Sequence, residues 1–105
     1  MKLTLLDSAK KDLSDLREYV IKHKSKESWR EIKAQLKDKI LKPENIPFSG
    51  SRPSELAGFP DRYRQHLTSQ QRIIYEIASD EIFIHVICGH AQDLEELLNR
   101  RLLGV

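Results

Sequence analysis

The spacing of apolar residues changes from a helical period to a strand period after about residue 61, and this change restricts the possible folds most. Before it, apolar residues recur every three or four positions in two segments, about 8–22 and about 27–42, which predicts two amphipathic helices. Their stripes are Ala9, Leu13, Leu16 and Val20, and then Trp29, Ile32, Leu36 and Ile40. A short polar break joins the segments, so we expect a helical hairpin that ends at Pro43.

The second half of the chain begins with a loop and continues as strands. The loop, 43–61, contains all four prolines, and its stretch 49–53 is predicted to be the most flexible part. Apolar and polar residues then alternate in three segments, which predicts an antiparallel meander with a first turn at 69–71. The strands are expected over about 63–68, 72–77 and 82–88. The last strand is expected to place on one face Ile82, Ile84, Val86 and Cys88.

A short strand at 2–6 and a final helix at about 92–103 complete the order β-α-α-β-β-β-α. This order predicts an α+β fold with a small antiparallel sheet and the helical hairpin packed on one face. We expect a single domain over 1–105, because half of this length could bury too little apolar surface. The other face of the sheet is expected to carry Arg64, His66 and Arg72.

Charge is unevenly distributed along the chain, although the formal net charge is only +2. Residues 1–42 hold twelve lysines and arginines against seven acids, whereas 76–98 hold six acids and no lysine or arginine. This indicates a basic working surface and an acidic end, although ordinary solvated faces would give the same distribution. No apolar run approaches the ~20 residues that span a bilayer, and the start does not resemble a signal peptide. A lone cysteine excludes an internal disulfide and multi-cysteine metal sites, so we expect a cytoplasmic protein.

Three segments, taken in order, carry a family resemblance. They are the amphipathic start at 7–13, the turn into a basic strand at 56–64, and a strand, acidic turn and apolar strand over 72–84. Together they resemble the RelE/ParE superfamily of small bacterial toxins from type II toxin–antitoxin modules. In that superfamily, RelE-like toxins cut messenger RNA on the ribosome, whereas ParE-like toxins poison DNA gyrase.

Four residues are candidates for RNA cleavage: Arg64, His66, Arg72 and His90. Cleavage without metal requires a base, a cation at the phosphate and an acid for the leaving oxygen. Arg64 and His66 lie two apart on one strand, and Arg72 opens the next strand, so the three are expected on one face. The resemblance implies that Arg72 contacts the phosphate and that Arg64 lies at a basic position. His66 and His90 would act as base and acid, since the ending at 88–94 is similar to that of YafQ-like toxins.

Other interpretations of these residues stay open. Either arginine could form an ion pair within the sheet, His66 could be an ordinary strand residue, and His90 could cap the last helix. Gln92 stands where RelE-like toxins carry a second arginine, and 93–98 lacks their catalytic tyrosine. The sequence therefore favours a ribosome-associated, metal-independent endoribonuclease, with a gyrase poison and a plain binding module as alternatives.

The resemblance also implies the partners of the chain. An antitoxin segment is expected to wrap around the toxin as helix and strand, with an apolar groove beside the helical hairpin as its receptor. The target would be messenger RNA and the ribosome, or alternatively DNA gyrase. We expect no cofactor, no metal ion and no membrane.

Overall fold

The computed structural model describes residues 1–102, and its element order confirms the predicted α+β fold. The seven elements are β1 (Lys2–Leu5), α1 (Asp7–His23), α2 (Lys26–Asn45), β2 (Tyr63–Leu67), β3 (Gln71–Ala78), β4 (Glu81–Gly89) and α3 (Leu94–Leu102). Two short 3₁₀ turns, Pro47–Ser49 and Ser54–Leu56, interrupt the long loop. The predicted final helix reached residue 103, which lies outside the described residues.

The second helix extends beyond the proline that was predicted to end it. It begins after Ser25, whose side chain accepts a hydrogen bond of 3.0 Å from the Ser28 N–H. Pro43 lies inside the helix and is buried, and the helix continues to Asn45. Because proline lacks only its own N–H, the next turn still closes: the Ile46 N–H donates to the Lys42 carbonyl at 3.1 Å.

The four strands form one sheet in the order β1-β4-β3-β2. The last three strands are antiparallel neighbours, as predicted, whereas β1 pairs with β4 in parallel. A parallel pair requires a long crossover connection, and here the two helices, the loop and the β2–β3 hairpin lie between β1 and β4. The pairing of β1 stops at Ile84, so no strand within residues 1–102 lies beside the rest of the outer edge of β4.

Both faces of the sheet are covered, each by a separate apolar cluster. The helical hairpin packs on one face, here called the hairpin face, which includes Ile73, Tyr75 and Ile77. The opposite face, here called the α3 face, packs Ile74 and its neighbours against α3 and Leu56. The three buried leucines of α3 cover part of this second face, which was expected to carry Arg64, His66 and Arg72.

A β-bulge at His85 reverses the side-chain alternation of β4. Ile84 pairs with Tyr75 and Val86 pairs with Ile74, so one extra residue is inserted between them. The prediction of a single face for the apolar residues of β4 is therefore wrong. Ile82 and Ile84 belong to the hairpin face, whereas Val86 and Cys88 belong to the α3 face.

Side chains from two helices satisfy the backbone groups at the bulge. The His85 carbonyl accepts hydrogen bonds from the Ser8 hydroxyl at 3.2 Å and from Arg101 at 3.1 Å. The Ile87 N–H donates to the Asp12 carboxylate at 2.9 Å, and that carboxylate also pairs with Arg101 at 2.6 Å. Asp12 thus links α1, β4 and α3 through one carboxylate.

We expect Asp12→Ala to lower the free energy of unfolding by about 2 kcal/mol, because it leaves the Ile87 N–H without its acceptor and removes the carboxylate that pairs with Arg101. Urea denaturation measures this change. Asp15→Ala is the matched control, since the Lys11–Asp15 pair is exposed and should contribute no more than about 0.5 kcal/mol. Equal losses for the two variants would contradict the role given to Asp12.

Candidate functional site

Arg64 and His66 lie together on the hairpin face of β2. They pair across the sheet with Tyr75 and Ile73, both members of the hairpin cluster. His66 is only 8% exposed, and its ring stacks on that of Tyr75 with 5.7 Å between centroids. Its Nε2 atom lies 2.7 Å from the Ser49 hydroxyl. His66 is therefore packed beneath the turn at Pro47–Ser49.

Arg72 lies on the α3 face, away from the hairpin, where all three residues were expected. Arg64 and His66 lie on the hairpin face instead, so the expectation that the three residues share one face is wrong. It pairs with Leu67 in register, and its guanidinium meets both oxygens of Glu55 at 2.9 and 3.1 Å. The Gln65 side-chain oxygen accepts two further hydrogen bonds from it, at 3.1 and 3.0 Å. Hydrogen bonding to Arg72 lowers the pKa of Glu55, which keeps this ion pair charged.

His90 lies at the end of β4, against the turn between β2 and β3. Its Nε2 atom is 3.2 Å from the Thr68 carbonyl and 3.0 Å from the Gln71 carbonyl. Because carbonyls only accept, Nε2 carries the proton in this arrangement. The helix cap that His90 was considered for is supplied by Asp93, whose carboxylate accepts from the Glu96 N–H at 3.1 Å.

The structure thus brings two of the four candidate residues together and separates the other two. Arg64 and His66 share the hairpin face, Arg72 lies on the α3 face, and His90 stands at the end of the sheet. Burial lowers the pKa of His66, and the nearby Lys39 and Lys42 lower it further, which favours a neutral ring. This arrangement does not place two guanidiniums and two imidazoles around one phosphodiester.

The loop stretch predicted to be most flexible is instead held by hydrogen bonds. The Tyr75 hydroxyl accepts from the Gly50 N–H at 2.9 Å and donates to the Pro47 carbonyl at 2.7 Å. Ser51 then forms a two-hydrogen-bond bridge with Gln65 on the outer edge of β2. We call residues 46–51 the strap, because Tyr75, His66 and Gln65 fasten them across the hairpin face.

The strap presents two large apolar side chains to solvent. Ile46 is 55% exposed and Phe48 is 63% exposed. The Arg64 guanidinium lies 5.3 Å from the centre of the Phe48 ring, a cation–π contact, and also forms an ion pair with Asp61 at 3.2 Å. We call Ile46 and Phe48 the Phe48 patch. The sequence analysis missed it, because nothing in a proline-rich loop indicates which apolar residue stays outside.

A second surface is a cleft of about 610 Å³ between α1 and the uncovered edge of β4. Its lining residues are Asp12, Asp15, Leu16, Tyr19, Gln71, Ile87, Cys88, Gly89 and Gln92. The N–H groups of Ile87 and Gly89, which border it, already donate to the side chains of Asp12 and Gln92. The cleft therefore offers apolar side chains to a partner rather than a free strand edge.

The chain shows one family match and several structural likenesses. The family described as the ParE toxin of type II toxin–antitoxin system, parDE, matches residues 3–94. No curated protein matches the chain significantly. A solved structure described as the chromosomal ParDE system from P. aeruginosa is 17% identical, with a TM-score of 0.67, covering 85% of this chain and 95% of that chain. The conserved hypothetical protein HP0894 from Helicobacter pylori is 20% identical, with a TM-score of 0.54, covering 88% and 97%.

These likenesses agree with the observed fold, and the family match spans β2, β3, β4, both helices of the hairpin and all but the first residue of β1. Within residues 1–102, no helix has the length and hydropathy that crossing a lipid bilayer requires.

We expect Gly50→Ala to destabilise the protein by about 1–3 kcal/mol, because an added Cβ would lie 2.5 Å from the Gln65 carbonyl oxygen and 2.7 Å from the Tyr75 hydroxyl. Thermal unfolding measures the loss. Gly58→Ala is the matched control, since a Cβ there meets nothing within 4 Å and should not destabilise the fold. Similar losses at both positions would show that the strap contacts do not matter.

We expect stability to fall as the pH drops from about 7 to 5, partly through His66. The folded state lowers the pKa of His66, so below its unfolded pKa of about 6.5 the unfolded chain binds the proton more readily. The contribution of His66 to stability is fully present above that pH. It is lost as the pH falls towards the lower pKa of His66 in the folded state. Urea denaturation of His66→Gln across this range should show a flatter dependence than the wild type, and an unchanged slope would contradict this account.

Proposed function

The chain belongs to the ParE toxin family of type II toxin–antitoxin systems, and from this premise we propose that it acts by binding and inhibiting DNA gyrase. The observation that carries the proposal is the separation of Arg72 from His66 by the thickness of the sheet. A toxin that inhibits by binding needs an exposed surface of the right shape and charge, not a set of converging catalytic groups. Gyrase acts on DNA in the cytoplasm, which is where we place this protein.

The surroundings of three of the four candidate residues argue against RNA cleavage. A base, an acid and a phosphate-binding cation must all lie within about 3 Å of the groups they serve. The charge of Arg72 is already paired with Glu55, His66 is buried under the strap, and His90 bonds to backbone carbonyls. Binding RNA in a productive geometry would require several of these contacts to break at once.

We expect purified toxin to inhibit DNA supercoiling by gyrase and to leave transcripts intact. Induced in cells, it should produce double-strand breaks and an SOS response, and primer extension on an abundant message should show no new 5′ ends. His90→Ala should arrest growth as the wild type does, because its side chain only bonds to the β2–β3 turn. Cut transcripts with unaffected gyrase would overturn the proposal in favour of the ribonuclease, and no growth defect would favour a plain binding module.

We further propose that the antitoxin occupies the cleft beside α1. Apolar contacts there come from Leu16, Tyr19 and Ile87. The N–H groups at this edge of β4 already donate to side chains, which favours a docked amphipathic helix over an added strand. Exposed carboxylates such as Asp15 at the rim suit basic side chains flanking the apolar face of that helix. An antitoxin held in this way would leave the strap uncovered.

We expect Tyr19→Ala to weaken binding of the antitoxin at least tenfold, because the 57% exposed ring becomes buried on binding. Isothermal titration calorimetry with the antitoxin encoded beside this gene measures the affinity. Glu18→Ala is the control, since this neighbouring residue is exposed on the same helix but does not line the cleft. Unchanged affinity of the Tyr19 variant would move the antitoxin site elsewhere.

A further inference from the structure

We propose that this toxin binds its target through the Phe48 patch, and that the patch fits an apolar site surrounded by acidic residues on a partner protein. The inference rests on the proposed function, in which that partner is gyrase. It assigns inhibition to a surface separate from the antitoxin cleft.

The first support is exposure. Ile46 and Phe48 are more than half exposed and are separated by a single residue, Pro47. A large aromatic side chain left mostly in solvent gains little from burial on folding, whereas buried aromatic side chains dominate the energy of protein interfaces. The described residues also expose Met1, Tyr19, Leu41 and Leu67. Of these, Met1, Leu41 and Leu67 are less exposed than the patch residues, and Tyr19 lines the cleft.

The second support is rigidity. The turn that carries Phe48 is fixed by the Tyr75 hydroxyl on both sides, at Pro47 and Gly50, and by His66 at Ser49. The anchoring residue Tyr75 is completely buried, so the strap is tied to the hairpin core. A side chain held in place before binding loses little conformational entropy when it docks, which raises affinity.

The third support is charge. Lys39 and Lys42, on the last turns of α2, lie close enough to His66 to lower its pKa, so they flank the strap with positive charge. Asp38 partly offsets their effect on His66, and Asp61 pairs with Arg64. Neither lysine takes part in an ion pair within residues 1–102, so both are available as positive charges beside the patch. Charge complementarity therefore favours a partner with carboxylates around an apolar pocket.

A protein partner fits this surface better than a nucleic acid. The Arg64 guanidinium already lies over one face of Phe48, so a nucleic-acid base could stack on the other face only. The aliphatic side chain of Ile46 adds nothing to phosphate binding but contributes apolar area in a protein interface. Arg64 itself is mostly buried, so it acts as a positioning residue for the ring.

The Phe48 patch and the cleft lie towards opposite edges of the sheet. Ser51 follows the patch and pairs with β2 at one edge, whereas the cleft borders β4, with β3 between the two strands. Substitutions in the patch should therefore separate target inhibition from antitoxin binding.

The test compares Phe48→Ala and Ile46→Ala with Leu67→Ala, an exposed apolar control on the other face of β2. Each purified variant is assayed for inhibition of gyrase supercoiling, for growth arrest on induction, and for antitoxin affinity by calorimetry. Circular dichroism and thermal unfolding establish that each is folded. We expect the two patch variants to need at least tenfold more protein to inhibit gyrase and to lose growth arrest, with antitoxin affinity within twofold of the wild type. Leu67→Ala should match the wild type in every assay.

The outcomes separate this inference from the proposed function. If folded Phe48→Ala inhibits gyrase and arrests growth like the wild type, the inference is wrong and the proposed function stands. If the wild type arrests growth without inhibiting gyrase, the proposed function is wrong, and loss of arrest in Phe48→Ala still supports the patch as the target surface. If Phe48→Ala loses antitoxin affinity instead, the patch belongs to the antitoxin and the inference is overturned.

A charge-reversal variant tests the chemistry of the partner. Lys39→Glu combined with Lys42→Glu should weaken gyrase inhibition more at low salt than at high salt, because screening reduces the repulsion that the variant introduces. A fluorescent DNA duplex without gyrase is the second probe. Binding of that duplex by the wild type, lost in Phe48→Ala, would show a nucleic-acid surface and overturn the protein partner.

Discussion

The hydroxyl of Tyr75 makes the contacts on which the surface of this protein depends. Its ring lies in the centre of β3, completely buried beneath the helical hairpin, and its oxygen bonds to Pro47 and Gly50 of the strap. The ring also supports His66, which holds Ser49. Through these contacts the core of the sheet determines where Phe48 stands, so stability and surface shape are coupled at one residue.

The register of the sheet determines which charged residues can act together. Thr68 and Gln71 close a turn whose two central residues are Ser69 and Gln70, so Leu67, not His66 or Thr68, faces Arg72. A three-residue turn at 69–71 would have placed Arg72 on the face of Arg64 and His66. One residue of turn length therefore moves a guanidinium to the other side of the sheet.

The same reasoning shows how far the sequence could predict the structure. Hydrophobic period alone identifies the two helices, the meander and their order, because each amphipathic pattern is long enough to be unambiguous. The bulge at His85 could not be predicted, since the apolar pattern of β4 continues through it while the side chains change faces. The strap was also missed, because its order comes from Tyr75 and Gln65, which are distant in sequence. Both candidate arginines instead form the ion pairs that the sequence analysis had left open as an alternative, although with Glu55 and Asp61.

A toxin with two separate surfaces accounts for these features together. The cleft beside α1 offers apolar side chains along a capped strand edge, and the Phe48 patch presents a rigid aromatic group flanked by lysines. The first suits a partner that must hold the toxin for long periods, and the second suits the target. Two of the charged residues that suggested catalysis contact loop residues in this structure: Arg72 pairs with Glu55, and the Arg64 guanidinium lies over the Phe48 ring.

Direct titration of purified toxin into DNA gyrase tests the central claim, inhibition by binding, without any other cellular component. Isothermal titration calorimetry should give saturable binding for the wild type at concentrations that inhibit the enzyme, with affinity that falls as salt rises. A toxin that arrests growth yet shows no binding to gyrase under any salt condition would contradict the account.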